Sequence, residues 1–383
     1  MEPRRKPLFA NLMANSDTFR DALRTGNPAV LKTLLGPATR GFLAQVAKGH
    51  ERTEVTSSYP VTFDWTYERN HPELARLYSS AKRSQWDAET GLDWSGDVDP
   101  EDAANDLMPE EYLPFVDLPG YRKASPKEKA DQKLSYMSWT LSQFLHGEQG
   151  ALFAAAQVTT AVRWLDGKLY GSTQVVDEGR HVEVFHRYLT EKLRKRYEIN
   201  DNLYVIIDAL MSDSRWDIKF LGMQIMVEGL ALGAFGTFFQ RTREPLLKEL
   251  LRNVIGDEAR HVHYGVLSLA DCYTGELSEK ELRERQDWAF EMSLLLRNRF
   301  LLQEFYDEYY AHEMSRKAWN RHMMDCSMMT LFRQTMFKRI VPNLKRIHLL
   351  PDRLRKHYDE IGLLAYEHGA AAPELTARDL LEG

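Results

Sequence analysis

From about Ser125 to Cys272 apolar residues return every three or four positions and Gly and Pro are sparse, a pattern that predicts helices. "EKADQKLSYMSWTLSQFLHGEQGALFAAAQVTTAV" predicts one long helix, entered after Ser125 with Pro126 in its first turn. "DGKLYGSTQVVDEGRHVEVFHRYLTEKLRKRY" predicts a second, and two more are expected over about 213–241 and 245–272. Further helices are expected over about 279–313, 325–340 and 351–367, and no stretch alternates in the manner of a strand. The pattern is all-α. Residues 1–120 differ, with helices expected at about 17–25, 27–48 and 72–85 between polar and Pro-containing stretches. "SQWDAETGLDWSGDVDPEDAANDLMPEEYLPF" lacks helical periodicity and predicts an extended segment wrapped on the helical body, with Trp86 and Trp94 as anchors. "AAAPELTARDLLEG" reads as a loosely held tail. No flexible linker separates the parts. Residues 1–120 pack on a helical core over 121–275, and 276–383 add helices to the same domain.

Composition narrows the classes. Hydrophobic residues at 43% and charged residues at 28% fit an ordinary globular chain with ample core. A net charge of -6 gives no reason to expect nucleic acid or an anionic membrane as partner. Cys272 and Cys326 are too few for a disulfide framework or a cysteine metal site. The first residues lack the apolar stretch of a secretory signal, and no segment approaches the roughly 20 apolar residues of a membrane span, so a cytoplasmic location is expected.

Two pentads carry the chemistry. DEGRH spans Asp177 to His181, and DEARH spans Asp257 to His261. On a helix, residues i and i+3 share a face, so Glu178 with His181 and Glu258 with His261 each offer a carboxylate and an imidazole to one transition-metal ion. Asp177 and Asp257 are placed to accept the second ring N–H of a metal-bound histidine, and Arg180 and Arg260 to hold those aspartates. One such pentad alone reads as a solvated, salt-bridged helix face. Two copies, each beside an apolar run ("TQVV", "NVIG"), point into a core, and buried carboxylates in that number need cations.

Two Glu-x-x-His pairs alone are short of carboxylates to bridge two metals. The preceding helices supply them: Glu148 and Glu228 are isolated acids in apolar helices, each 30 residues before its pentad glutamate. An antiparallel hairpin brings each pair to one level, so the unit Glu–x29–Glu-x-x-His occurs twice.

These six residues and both D-E-x-R-H pentads resemble the ferritin-like superfamily, in its ribonucleotide-reductase-like di-iron branch, over about residues 135–270. The hydroxylase subunits of bacterial multicomponent monooxygenases look closest in the pentads. The resemblance implies a ferritin-like four-helix bundle holding two Fe ions, as Fe/Fe or Mn/Fe, that react with O2. Glu148, Glu178, Glu228 and Glu258 would be its catalytic carboxylates, one or two of them bridging. Departures narrow the choice. The radical tyrosine of a reductase small subunit, four residues after the first histidine, is Phe185 here, and "TARDLLEG" lacks a relay tyrosine. The positions nearest the Val–Tyr crosslink of ligand-binding oxidases are Ala151 and Met223. Leu232 replaces the threonine of the monooxygenase subunits, and Val254 the seventh-ligand histidine of the p-aminobenzoate N-oxygenase type.

The expected activity is therefore that of a di-iron oxygenase, hydroxylating or N-oxygenating a small, apolar organic substrate. The alternatives are a radical-generating subunit and an iron-oxidising or storage protein. Small and apolar neighbours of the ligands (Ala151, Leu152, Ala155, Phe185, Ala231, Leu232, Phe235 and Gly265) would leave room for a pocket, and serve equally for close helix packing. No flavin or Fe–S signature is present, so electrons are expected from a separate reductase or ferredoxin. A homodimer fits the Met-rich stretch at 322–337, which reads equally as core.

Overall fold

Helix starts are where the chain is most explicit. Ser125 accepts from the Glu128 amide while the Glu128 side chain reaches back, and Pro126 occupies the first turn. The structure, a computed structural model, describes residues 8–16, 18, 24–375, 379 and 381. Its main helices are α1 (Pro28–Ala38), α2 (Pro72–Arg83), α3 (Pro126–Ala161), α4 (Leu165–Arg187), α5 (Asp201–Ser212), α6 (Trp216–Arg241), α7 (Pro245–Asp271), α8 (Glu279–Asn298) and α9 (Ser327–Arg346). No strand occurs among the described residues. The fold is all-α.

The hairpins α3–α4 and α6–α7 form the bundle, with α4 facing α7 across it. α2 lies over α4 and α7, α1 rests on α5, and α8 and α9 back onto α6. Close approach explains two glycines: a Cβ on Gly233 would stand 2.5 Å from Met336 Cα of α9, and one on Gly265 2.7 Å from Gln224 Cβ.

Three features differ from the sequence reading, and one expectation lies outside what is described. The helix expected over 17–25 falls mostly outside the described residues. The single helix expected over 279–313 is broken, because Leu302 sits at φ 49 and the chain restarts at Gln303–Tyr309. α5 was not expected at all. Its residues are buried nearly all round, so no apolar stripe marks it, while Val205, Ile206 and Ile207 weaken its helical propensity. Finally, α6 is apolar enough to pass for a membrane span, but its most apolar window is 94% buried inside the bundle. The Met-rich stretch is core at Met323, Met329 and Met336.

Candidate metal centre

Each long helix of the bundle delivers its acid to the interior at mid-length. α3 brings Glu148, α4 Glu178 and His181, α6 Glu228, and α7 Glu258 and His261. All six are buried, Glu148 the least so at 5% exposure. Glu228 follows a wide, π-type turn over Leu221–Val227, a local distortion that often accompanies a functional site.

The donor atoms fall into two overlapping groups. Glu148, Glu178, His181 and Glu258 form one, and Glu178, Glu228, Glu258 and His261 the other, with donor atoms in each within 4.8 Å of one another. Glu178 and Glu258 belong to both. His181 Nδ1 lies 3.1 Å from Glu258 Oε1 and 3.5 Å from Glu178 Oε2. His261 Nδ1 lies 3.0 Å from Glu178 Oε1 and 3.6 Å from Glu258 Oε2. Each pentad glutamate thus turns one oxygen to each histidine, while Glu148 and Glu228 serve one group apiece. The pentad acids thus face each other across the α4–α7 contact, and the isolated ones flank it.

The residues fit a pair of cations. Glu178 Oε2, Glu228 Oε2, both oxygens of Glu258 and His261 Nδ1 are buried without a hydrogen-bond partner. Glu258 Oε1 and His181 Nδ1 are in close approach without an aligned hydrogen bond, as expected of lone pairs aimed at a common third point. Unpaired buried charges of this kind are costly unless a cation completes them. In the metal-free protein, protons fill that role. Burial, with repulsion from Glu258, pushes the Glu148 and Glu228 carboxyls well above their usual range. Burial opposes the charged forms of His181 and His261, yet the surrounding carboxylates raise both imidazoles. Burial would also raise Glu178, but His261 and His181 hold it low. Four carboxylates and two imidazoles are the donor set of di-iron and di-manganese carboxylate bundles.

The partners of the histidines cross over. His181 Nε2 is 3.2 Å from Asp257 Oδ2, and His261 Nε2 is 3.3 Å from Asp177 Oδ2. Each pentad's aspartate thus orients the other pentad's imidazole, leaving Nδ1 for the interior. Arg180 donates to Asp177 at 2.6 Å and to Asp257 at 3.0 Å, and Arg260 pairs with Asp257.

Four residues of the site were not read as such from the sequence. Gln174 donates to Glu228 Oε1 at 2.9 Å and to Glu178 Oε1 at 3.3 Å, and Gln224 donates to Gln174. Gln174 stands one turn before Glu178 in the apolar "TQVV", which was the available signal. Gln85 and Trp86, beyond the end of α2, close the centre: Gln85 donates to Asp177 at 2.9 Å and Trp86 Nε1 to Asp257 at 2.8 Å. Arg180 lies over the Trp86 ring, 4.6 Å from its centroid. Trp86 is therefore part of the centre as well as an anchor of the wrapped segment. Trp86→Phe keeps the ring and loses the donor, and should lower stability by about 1–3 kcal/mol in chemical denaturation.

Other polar and aromatic side chains close to the ligands in sequence point elsewhere. His146 bonds the Tyr197 carbonyl at 2.9 Å, Glu183 and His186 face outward, and Tyr264 bonds the Gly167 carbonyl at 2.9 Å. His263 is half-buried. Trp94 bonds the Ala88 carbonyl at 2.8 Å, an anchor of the wrap. Phe185 packs with Phe235 and Phe144 at ring separations of 5.8 and 6.0 Å. Gly265 is a helix contact, Ala151 and Ala155 are buried, and Leu152 and Ala231 are half-buried. Leu232 lines a cleft of about 180 Å³ beside Phe332.

No protein-family model matches the chain, and no curated protein matches it. Two solved structures are similar. One, a mutant R2-like ligand-binding oxidase with an aerobically reconstituted Mn/Fe cofactor, is 18% identical and covers 74% of this chain and 96% of its own, with a TM-score of 0.47. The other, an R2-like ligand-binding oxidase with an aerobically reconstituted Mn/Fe cofactor after a long soak, is 17% identical and covers 73% and 98%, with a TM-score of 0.40.

Proposed function

We propose that this ferritin-like bundle is a non-haem di-metal oxygenase, holding Fe/Fe or Mn/Fe and oxidising a small organic molecule with O2. The observation that carries the reading is the sharing of Glu178 and Glu258 between two buried donor groups, each with its own histidine and flanking acid. Two redox-active ions supply the electron transfer to O2 when bound. The chain's own contribution is preorganisation. Asp257 and Asp177 hold the imidazole tautomers, Arg180 and Arg260 hold the aspartates, and Gln174 pins one oxygen of Glu228 while leaving Oε2 free. Phe144, Phe185 and Phe235 pack ring against ring, and Phe185 stands one helical turn beyond His181. Phe185, where a radical subunit has its tyrosine, favours oxidation of a bound molecule over storage of a radical. Electrons come from a separate reductase or ferredoxin, since the chain has two cysteines and no flavin motif.

Anaerobic Fe(II) loading tests this directly. Uptake should saturate near about two ions per chain, and exposure to O2 should give no persistent radical signal in electron paramagnetic resonance. Uptake of many ions per chain would point to storage, and a stable tyrosyl signal to a radical subunit.

A further inference from the structure

The most exposed large apolar side chains among the described residues are Trp65 and Phe63, at 72% and 68% exposure. They belong to an extended segment, residues 51–67, that crosses from the last turns of α3 to the start of α4. Ser57 accepts from Gln157 at 3.0 Å, the Thr62 amide donates to the Thr160 carbonyl at 3.0 Å, and Asp64 accepts from the Leu165 amide at 3.0 Å. The alternation along the segment is inverted. Thr62 and Asp64 are half-buried against the body, while Val61, Phe63 and Trp65 face solvent. Extended chain with one apolar side normally turns that side to the core. Here the Phe63 and Trp65 rings stack on each other in solvent, with centroids 5.2 Å apart.

The hairpin that carries this segment is short of charge. No charged residue occurs from Gln149 to Val162 or from Leu169 to Val176, in a chain that is 28% charged. The exposed positions of those stretches include Gln149, Phe153, Ala156, Ser172 and Val176, so two more large apolar side chains face solvent there. At roughly 150–250 Å² of surface per aromatic side chain, the exposed parts of Val61, Phe63, Trp65, Phe153 and Val176 come to about 600 Å². Single exposed apolar side chains are ordinary, but this much on one hairpin marks an interaction surface. A standard interface takes about 800 Å² from each partner, so these five side chains supply most of one.

We propose that this surface binds a second copy of the chain about a twofold axis, with the 51–67 segments and the uncharged α3–α4 faces in the contact. The lack of charge selects the occupant. An electron donor steered by charge finds nothing here to pair with. The exposed charges of the segment are Glu51, Glu54 and Glu68 against Arg52 and Arg69, which gives an anionic bilayer no basic ring. Two copies, each at net charge -6, repel least where neither carries charge. The backbone favours the same occupant. Between Glu51 and Trp65 the bond from Thr62 to Thr160 is the one backbone–backbone hydrogen bond among the described residues. The segment therefore keeps an unpaired edge that the same edge of a second copy can complete, antiparallel, in a self-complementary contact. The contact bears on the two helices that bring Glu148, Glu178 and His181, and it does not depend on the oxygenase reading.

Sedimentation velocity of the full chain over a concentration series tests this. Wild type should be dimeric at about 10 μM and above. The double variant Phe63→Ser, Trp65→Ser and, separately, Phe153→Arg should each raise the dimer dissociation constant by at least about tenfold. Leu331→Ser, at an exposed apolar position on α9, should change it by less than about twofold. Amide hydrogen exchange over residues 61–65 should slow as the wild-type concentration rises and stay fast in the double variant. The replaced side chains of the segment face solvent in a single copy, so the double variant should fold and melt as the wild-type monomer does, and it decides the matter even if Phe153→Arg misfolds. A wild type still monomeric at about 100 μM would overturn the proposal, as would a dimer indifferent to the double variant. Binding of monomeric wild type to neutral phosphatidylcholine vesicles, lost in the double variant, would assign the surface to a bilayer instead.

Discussion

Glu178→Ala and Glu258→Ala should each empty both metal positions, whereas Glu148→Ala and Glu228→Ala should each weaken only one. After anaerobic Fe(II) loading and removal of free metal, the shared-acid variants should retain less than about half an ion per chain. The flanking-acid variants should keep about one. The asymmetry follows from geometry. Glu258 turns Oε1 toward His181 and Oε2 toward His261, and Glu178 is its mirror. Losing either takes a donor from both positions and leaves three carboxylates to balance two divalent ions in a buried site. Losing Glu148 leaves the Glu178, Glu228, Glu258 and His261 group whole. Loading should also release protons, because Glu148, Glu228 and both imidazoles hold protons above their usual range in the metal-free protein. If the acids serve only as ion-pair partners of the histidines, shared and flanking variants will lose metal alike, and the two-position reading falls.

The periodicity of the chain was enough for the four bundle helices, and duplication enough for the six inward residues, because helical spacing within each copy dictates which side chains share a face. What spacing within one helix cannot encode is which helix lies opposite. The crossed pairs His181–Asp257 and His261–Asp177, and the division between shared and flanking acids, are set by the α4–α7 contact. Gln85 and Trp86 were hidden for a related reason: a residue in an aperiodic segment has no face until the segment is docked. α5 fell below notice because burial on every side erases the stripe by which a helix is recognised.

The crossover has a consequence that no uncrossed arrangement shares. Asp257→Asn should weaken the position built on His181, and Asp177→Asn the one built on His261, each by about 10–100-fold in metal affinity. A Glu228→Ala background isolates the first position, since it disables the second. In that background Asp257→Asn should abolish the remaining ion, while Asp177→Asn should spare it. The opposite result would mean that each aspartate orients its own pentad's histidine. Arg180 ties the two halves together, donating to both aspartates while buried at 8% exposure. Arg180→Met should therefore do what neither aspartate variant does. It removes the closest guanidinium from Asp177 and one of the two from Asp257, destabilising the fold by about 3–5 kcal/mol and weakening both metal positions together. Denaturant unfolding of the metal-free protein reads the first effect and metal titration the second. Arg180→Met in an Asp257→Asn background should cost less than in the wild type, because one of the two charges that Arg180 faces is already gone.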